Sequence, residues 1–194
     1  SRQRYIYLLS AKTEDVKWEF PEKQQDIITM EEAIGSLPSL DPCLREETEK
    51  WRFPDFEEKK RKGLEVSKWH YPPVHSWKQV EWMIHTPTGK SAFKNETFYP
   101  KTKGRRIKGA PRTYMMFWDK PATTIMQNSG VISAFSTVHP GRPIVESDDD
   151  TKREYSDARA LSIYELLILS SLPLDWDIPE WASDVLIRKV IGEG

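Results

Sequence analysis

The chain has 194 residues, of which 30% are charged and 38% are hydrophobic, and its net charge is −1. Eight tryptophans supply apolar area for a core, which excludes intrinsic disorder, and no apolar run approaches the roughly 20 residues that cross a bilayer. A single cysteine excludes a disulfide framework, and no basic-then-apolar leader begins the chain, so we expect a cytoplasmic protein without a membrane partner.

Charge is distributed unevenly along the chain. Between Lys90 and Arg112 there are eight basic residues against Glu96 alone, a local charge of +7. Acidic residues collect elsewhere, notably from 146 to 157. Such segregation suits a protein that offers one face to a polyanion and keeps phosphate off the other. The alternative is a solvated loop that is basic without binding anything.

The first predicted elements are a strand and a short helix. Residues 4–9 are rich in Tyr, Ile and Leu, which predicts a strand of a larger sheet. Because this strand stands at the start of the chain, we expect the sequence that completes the sheet to precede it or to lie on another polypeptide. The run Thr29-Met30-Glu31-Glu32 predicts a capping box, and Gly35 followed by Pro38 predicts the end of its helix.

The middle of the chain is predicted to be irregular. Residues 41–66 form a charged insertion in which Pro54 breaks any long helix, leaving a solvated helical hairpin or a mobile segment. From residue 68 to residue 142, Gly, Pro and aromatic residues interleave with short extended segments such as 80–84 and 113–118. This pattern predicts irregular β structure with long functional loops, followed by an exposed acidic loop at 148–153.

Two helices are predicted near the C-terminus. Ser162 and Glu165 predict a second capping box that begins an apolar helix before Pro173. A last helix is predicted from about Pro179 to Gly192, with apolar residues at helical spacing between them.

Three segments, in this order, resemble motifs of the cytosine-5 DNA methyltransferases. Arg2 and Arg4 match the eighth motif, and the ninth and tenth are resembled by Arg159-Ala160-Leu161-Ser162-Ile163-Tyr164-Glu165 and Val190-Ile191-Gly192-Glu193-Gly194. The resemblance implies three parts, which are a terminal strand of the catalytic domain (1–15), a target-recognition domain (16–157) and the helices of the last two motifs (158–194). It implies an α+β fold class: an irregular β-rich DNA target-recognition domain with short helices, plus C-terminal helices that dock on a Rossmann-like methyltransferase domain outside the chain.

The resemblance also implies a function. The parent enzyme would recognise double-stranded DNA by sequence and transfer a methyl group from S-adenosylmethionine to cytosine in bacterial restriction-modification. The nucleophile and most of the cofactor site would belong to an N-terminal methyltransferase domain, in cis or in trans, so this chain alone would be inactive. The alternative is a non-catalytic DNA-binding protein or trans-acting subunit of a split or degenerate methyltransferase. A restriction nuclease, a third class, rests only on weak acidic patterns.

Site residues follow from the resemblance and from side-chain chemistry. Arg4, with Arg2, would reach the flipped cytosine, and Gly192 with Glu193 would line the cofactor pocket. Pro121-Ala122-Thr123-Thr124-Ile125 is similar to the Thr-Ile or Thr-Leu signature of the target-recognition region. Amide side chains beyond it can read base edges, while basic residues grip phosphate. The predicted DNA-binding residues are Arg105, Arg106, Lys108, Arg112, Thr124, Ile125, Gln127, Asn128, His139 and Arg142. The histidines lack zinc spacing with the single cysteine, so no metal site is expected.

Overall fold

The structure is a computed structural model that describes residues 26–95, 97–106, 114–127, 137–149 and 151–193, with the isolated positions 9, 11, 19 and 22. Its helices are α1 (Met30–Ile34), α2 (Phe56–Val66), α3 (Trp77–Ile84), α4 (Ile163–Leu169) and α5 (Asp184–Glu193), with 3-10 helices at Glu47–Arg52 and Ala92–Lys94. Within these ranges, no helix is both long and apolar enough to span a membrane. The strand predicted at residues 4–9 falls almost wholly outside them.

The described strands pair two by two. Two pairs are parallel, β1 (Cys43–Leu44) with β2 (Val74–His75) and β5 (Tyr114–Met115) with β6 (Thr137–Val138). Two are antiparallel, β3 (Lys101–Thr102) with β4 (Arg105–Arg106) and β7 (Pro143–Val145) with β8 (Glu154–Tyr155). The described β structure between residues 68 and 142 is therefore short and irregular, as its composition predicts. The complete fold class, with its docking domain, and the three-part division stay proposals.

Both predicted capping boxes are confirmed. At α1, Thr29 N donates to Glu32 Oε2 at 2.8 Å, and Glu32 N donates to Thr29 Oγ1 at 3.2 Å. At α4, Ser162 N donates to Glu165 Oε2 at 2.7 Å, and Glu165 N donates to Ser162 Oγ at 3.2 Å. Each box satisfies backbone donors that the first turn of a helix leaves free.

Two predictions about local structure need correction. Residues 80–84, predicted as extended, belong to α3, because Ser76 and Gln79 form a third capping box and Val80 with Met83 bury one helix face. The last helix begins at Asp184 rather than near Pro179. In the charged insertion, Pro54 separates two helices as predicted, with a 3-10 helix before it and α2 after it.

The main hydrophobic core joins the two ends of the described chain. Met30 and Ile34 from α1 pack with Leu166 and Leu167 from α4, and α5 adds its buried side chains to the same cluster. A second, smaller cluster lies around α3, and its buried members are Leu44, Val80, Met83, Val138 and Ala158. The main core therefore supports both the loop at residues 116–127 and the C-terminal helix α5.

Candidate nucleic-acid interface

The segment with the predicted Thr-Ile signature is anchored on one side and exposed on the other. Ala122 and Ile125 are half-buried against the main core. Thr123 and Thr124 between them are exposed. The sequence had marked Thr124 and Ile125 together as DNA-binding residues. The structure separates their environments, since Thr124 faces solvent while Ile125 is an anchor.

The loop before this segment is fixed to the start of α1. Met30 N donates to the carbonyl of Lys120 at 2.9 Å, and Glu31 N donates to that of Trp118 at 3.0 Å. These amides belong to the first turn of α1, where a helix has no internal acceptors for them. Trp118 Nε1 also donates to the carbonyl of Gly141 at 2.7 Å. We call residues 121–127 the recognition segment. It begins next to a support formed by the first turn of α1 and the loop at Trp118 and Lys120, and the capping box of α1 helps to fix that support.

Arg142 lies beside this support, and its guanidinium already binds other side chains of the protein. Arg142 Nη2 lies 2.7 Å and 2.8 Å from the two carboxylate oxygens of Glu31. Its Cζ lies 4.3 Å from the centroid of the Trp118 ring. Both charged side chains are about half exposed. A predicted contact between Arg142 and DNA would therefore have to compete with Glu31.

His139 is buried beside Trp118 instead of lying at the surface. Its ring meets Trp118 edge-on, with 5.3 Å between centroids. Its Nδ1 accepts from Gly141 N at 3.2 Å, which places the proton of the neutral ring on Nε2. Burial lowers the pKa of His139. This position does not favour the predicted direct contact with a DNA groove, and it indicates a supporting role for the side chain.

Two basic surfaces precede the recognition segment in sequence, and the first is the β3–β4 hairpin. Its turn residues, Lys103 and Gly104, have φ values of 49° and 75°. Positive φ at both central positions is the signature of a two-residue hairpin turn that follows the twist of its strands. Lys101, Lys103 and Arg105 are exposed. The hairpin is thus an exposed basic tip, as the predicted phosphate-binding role requires.

A second basic surface was not singled out as a site from the sequence. Lys120 Nζ lies 4.0 Å from the centroid of the Phe117 ring. The ring also packs on Gly89, whose φ is +73° and where a Cβ would lie 2.1 Å from Phe117 Cε1. Lys90, next to Gly89, is exposed. The turn signal Pro87-Thr88-Gly89-Lys90 hints at this arrangement, but its contact with Phe117 joins residues distant in sequence.

The segment that resembles the ninth motif, residues 159–165, forms a buried charge network. Arg159 Nη1 and Nη2 donate to the two carboxylate oxygens of Glu165 at 2.8 Å and 2.9 Å. Nη2 also donates to Asp157 at 3.0 Å, and Nε donates to the carbonyl of Leu40 at 3.1 Å. Nη1 further donates to the carbonyl of Ala160 at 3.2 Å. All five guanidinium protons therefore have acceptors, which is the condition for burying this cation.

Ionisation follows from that network. Burial raises the pKa of Glu165, but the charge and hydrogen bonds of Arg159 outweigh it and lower the value to about 2. Burial also opposes the charge on Asp157, yet Arg159 and the amide of Leu40 hold its pKa well below the usual range. Both carboxylates are thus anions that orient polar backbone rather than acid-base groups poised for catalysis at neutral pH.

The predicted cofactor residues lie against the recognition segment. Gly192 is buried, and a Cβ there would lie 2.3 Å from the carbonyl carbon of Met126. The carboxylate of Glu193 accepts a hydrogen bond from Gln127 Nε2 at 2.9 Å. Two sets of residues that the sequence assigned to different tasks therefore meet.

The remaining predicted site residues fall outside the described ranges. These are Arg2, Arg4, Lys108, Arg112 and Asn128, together with the side chain of Arg106. Among the described residues, no cluster of three or more His, Cys, Asp and Glu side chains has the arrangement of a metal site.

Similarity to known proteins extends over nearly the whole chain. It is 42% identical over 194 residues to the type II methyltransferase M1.HgaI from Avibacterium volantium. The aligned region covers 99% of this chain but only 46% of that protein, so the chain spans about half the length of its relative. No protein-family model matches the sequence, and no solved structure is significantly similar to it.

Proposed function

We propose that this chain is the target-recognition part of a bacterial DNA (cytosine-5-)-methyltransferase that acts in restriction-modification. The observation that carries the proposal is its 42% identity, over 99% of its length, to a type II methyltransferase. The resemblance of the eighth, ninth and tenth motifs supports the cytosine-5 class. Double-stranded DNA is the partner, and the complete protein would act in the cytoplasm.

The geometry suits a DNA-reading segment that is fixed on the hydrophobic core. Thr123 and Thr124 are exposed on a segment whose Ala122 and Ile125 are held by the core. Side chains that read base edges need such a fixed origin, because a good base contact depends on the direction of donors and acceptors. The basic hairpin around Lys103 supplies charge of the kind that positions a protein on phosphate without reading sequence.

The rest of the enzyme would be an N-terminal methyltransferase domain, in cis or in trans. The chain between residues 174 and 190 suits such a partner, because large apolar side chains are exposed there that would otherwise meet water. They are Leu174, Trp176, Trp181, Val185, Leu186 and Val190. We assign residues 174–190 to the docking of the methyltransferase domain.

S-adenosylmethionine is the methyl donor of the proposed reaction. The two residues predicted to line its pocket are occupied by protein contacts, since Gly192 packs on Met126 and Glu193 binds Gln127. They do not form a donor-binding set by themselves. We therefore assign the cofactor site to the methyltransferase domain, and the 194-residue chain alone should not incorporate methyl groups.

The decisive experiment incubates the complete protein with labelled S-adenosylmethionine and duplex DNA, and then identifies the modified nucleoside. The expected product is 5-methylcytosine. A methylated adenine, or cytosine methylated on its amino group, would retain a DNA methyltransferase and overturn the cytosine-5 class. Sequence-specific binding without any methyl transfer would favour the alternative, a non-catalytic DNA-binding or trans-acting subunit.

A further inference from the structure

Close packing joins the end of α5 to the recognition segment. Gly192 leaves no room for a side chain, because a Cβ would lie 2.3 Å from Met126 C, 2.4 Å from Gln127 N and 2.5 Å from Met126 O. All three atoms belong to the backbone, so a flexible side chain cannot move aside to relieve the contact. The Met126–Gln127 peptide is seated directly on the helix.

A hydrogen bond next to this contact sets the orientation of one side chain. Gln127 Nε2 donates to Glu193 Oε1 at 2.9 Å, and Lys189 Nζ lies 3.7 Å from the same oxygen. A carboxylate only accepts hydrogen bonds, so the Gln127 amide must direct its nitrogen toward Glu193. Its carbonyl oxygen and its second N–H then have no partner among the described residues. The exposed amide is therefore turned in one defined direction.

The helix that makes these contacts is itself held firmly. Ile187 and Ile191 of α5 are buried in the main core, which Ile125 also touches. Arg188 Nη1 donates to the carbonyl of Leu161 at 2.8 Å, which ties α5 to the segment that precedes α4. The recognition segment and α5 thus share one core. The packing of Gly192 against the Met126–Gln127 peptide is therefore made by a helix that is itself anchored in that core.

We infer that Gly192 and Glu193 are positioning residues for DNA recognition, and that Glu193 orients Gln127 to read a base that carries an amino group. The inference rests on the proposed function of residues 121–127 in reading DNA. A carbonyl oxygen directed away from Glu193 accepts from the N6 amino group of adenine or the N4 amino group of cytosine in the major groove. Guanine and thymine present only acceptors there, so they can bond to the second N–H but leave the carbonyl oxygen unpaired, whereas adenine, with N6 as donor and N7 as acceptor, satisfies both groups.

Glu193→Gln in the complete protein is the most informative variant. It keeps the size of the side chain and can still bond to Gln127, but an amide both donates and accepts, so the orientation of Gln127 is no longer fixed. Glu193→Ala removes the bond altogether. Glu180→Gln is the matched control, because Glu180 is an exposed glutamate near the same helix without an ion pair among the described residues.

Binding of each variant to randomised duplexes measures the base preference, and calorimetry measures affinity for S-adenosylmethionine. We expect Glu193→Gln, Glu193→Ala and Gln127→Ala to lose roughly ten-fold discrimination at one shared base pair. Glu180→Gln should keep the parent profile. Affinity for S-adenosylmethionine should stay within about two-fold in all four variants, the scatter allowed for independent sites. Gly192→Ala should change the same base pair, and the Glu193 variants decide the matter where it does not fold.

Three outcomes would overturn the inference. A Glu193→Gln protein with the parent profile would reduce Glu193 to a packing residue. Weaker S-adenosylmethionine binding with an unchanged profile would return Gly192 and Glu193 to the cofactor site. In both cases the parent still selects its sequence, so the proposed function survives. A parent without any sequence preference would overturn the proposed function, and this inference with it.

Discussion

Arg159 and Glu165 form a two-pronged salt bridge in the interior, with N–O distances of 2.8 Å and 2.9 Å and both side chains at most 1% exposed. The pair stands at the first and last positions of the segment that resembles the ninth methyltransferase motif. Glu165 also accepts from the amide of Ser162, so one carboxylate closes the capping box of α4 and neutralises the buried cation. One residue, Glu165, therefore both caps the start of α4 and balances the charge of Arg159 in the core.

Removing one partner of this pair should be strongly destabilising. Arg159→Met leaves two buried carboxylates without their cation, and breaking a buried pair in this way costs about 3–5 kcal/mol. Urea unfolding of the complete protein should show the loss. Arg61→Met is the matched control, because Arg61 pairs with Glu65 at the surface, where such pairs contribute about 0–1 kcal/mol. Equal effects of the two variants would contradict the buried network.

His75 should make stability fall in mild acid. Burial, together with the nearby cations Arg188, Arg159 and Arg45, lowers its pKa to about 3. Its Nε2 accepts from the amide of Ala160 at 3.1 Å, which requires the neutral ring. The unfolded chain binds this proton near the ordinary pKa of about 6.5, so the stabilisation is complete above that value and is lost as pH falls toward 3.

The measurement compares urea unfolding between pH 7 and pH 4 for the parent and for His75→Gln. The variant should show a slope shallower by up to about 1.4 kcal/mol per pH unit, because one proton fewer is taken up on unfolding. Parallel slopes in the two proteins would show that His75 does not titrate on unfolding.

Replacing Glu31 should strengthen DNA binding if Arg142 contacts phosphate. Glu31→Gln removes the carboxylate that holds the guanidinium at 2.7 Å and 2.8 Å, which leaves the cation available to a phosphate oxygen. We expect a several-fold gain in affinity for all duplexes and a steeper salt dependence by up to about one unit. Glu146→Gln, an exposed glutamate elsewhere, controls for the loss of one negative charge. The gain should vanish in Glu31→Gln combined with Arg142→Ala.

The basic hairpin should contribute affinity without sequence preference. Arg105→Ala with Arg106→Ala should weaken binding to every duplex and reduce the salt slope by roughly one unit per lost phosphate contact. Arg61→Ala with Lys62→Ala removes two cations from α2 in the charged insertion and should leave the slope unchanged. If the α2 variant lowers the slope instead, the DNA-binding face lies on the insertion.

Arg4 should act after the protein has docked on DNA. In the complete enzyme, Arg4→Ala should slow methyl transfer by ten-fold or more while duplex affinity changes little, because a group that meets only the extruded base contributes late in the reaction. Rates from single-turnover methylation and affinities from equilibrium binding separate the two effects. Parallel losses in rate and affinity would place Arg4 among the docking residues.

Sequence alone determined the features that depend on neighbours along the chain. The capping boxes at Thr29 and Ser162 were predictable because donor and acceptor are three residues apart, and the segregation of charge near Lys103 follows from composition. The third box, formed by Ser76 and Gln79, has the same three-residue spacing and therefore also predicts a helix from sequence. The aromatic and apolar residues at 80–84 resemble a strand, and burial of Val80 and Met83 on one helix face agrees with the capping signal.

Tertiary structure alone decided what each predicted site residue can do. His139 became an internal support beside Trp118, and Arg142 became the partner of Glu31, which lies 111 residues away in sequence. Gly192 and Glu193 meet Met126 and Gln127 across 66 residues, a contact that no local pattern encodes. Residue type determines which bonds a side chain can make, but packing of distant segments determines which partner it finds.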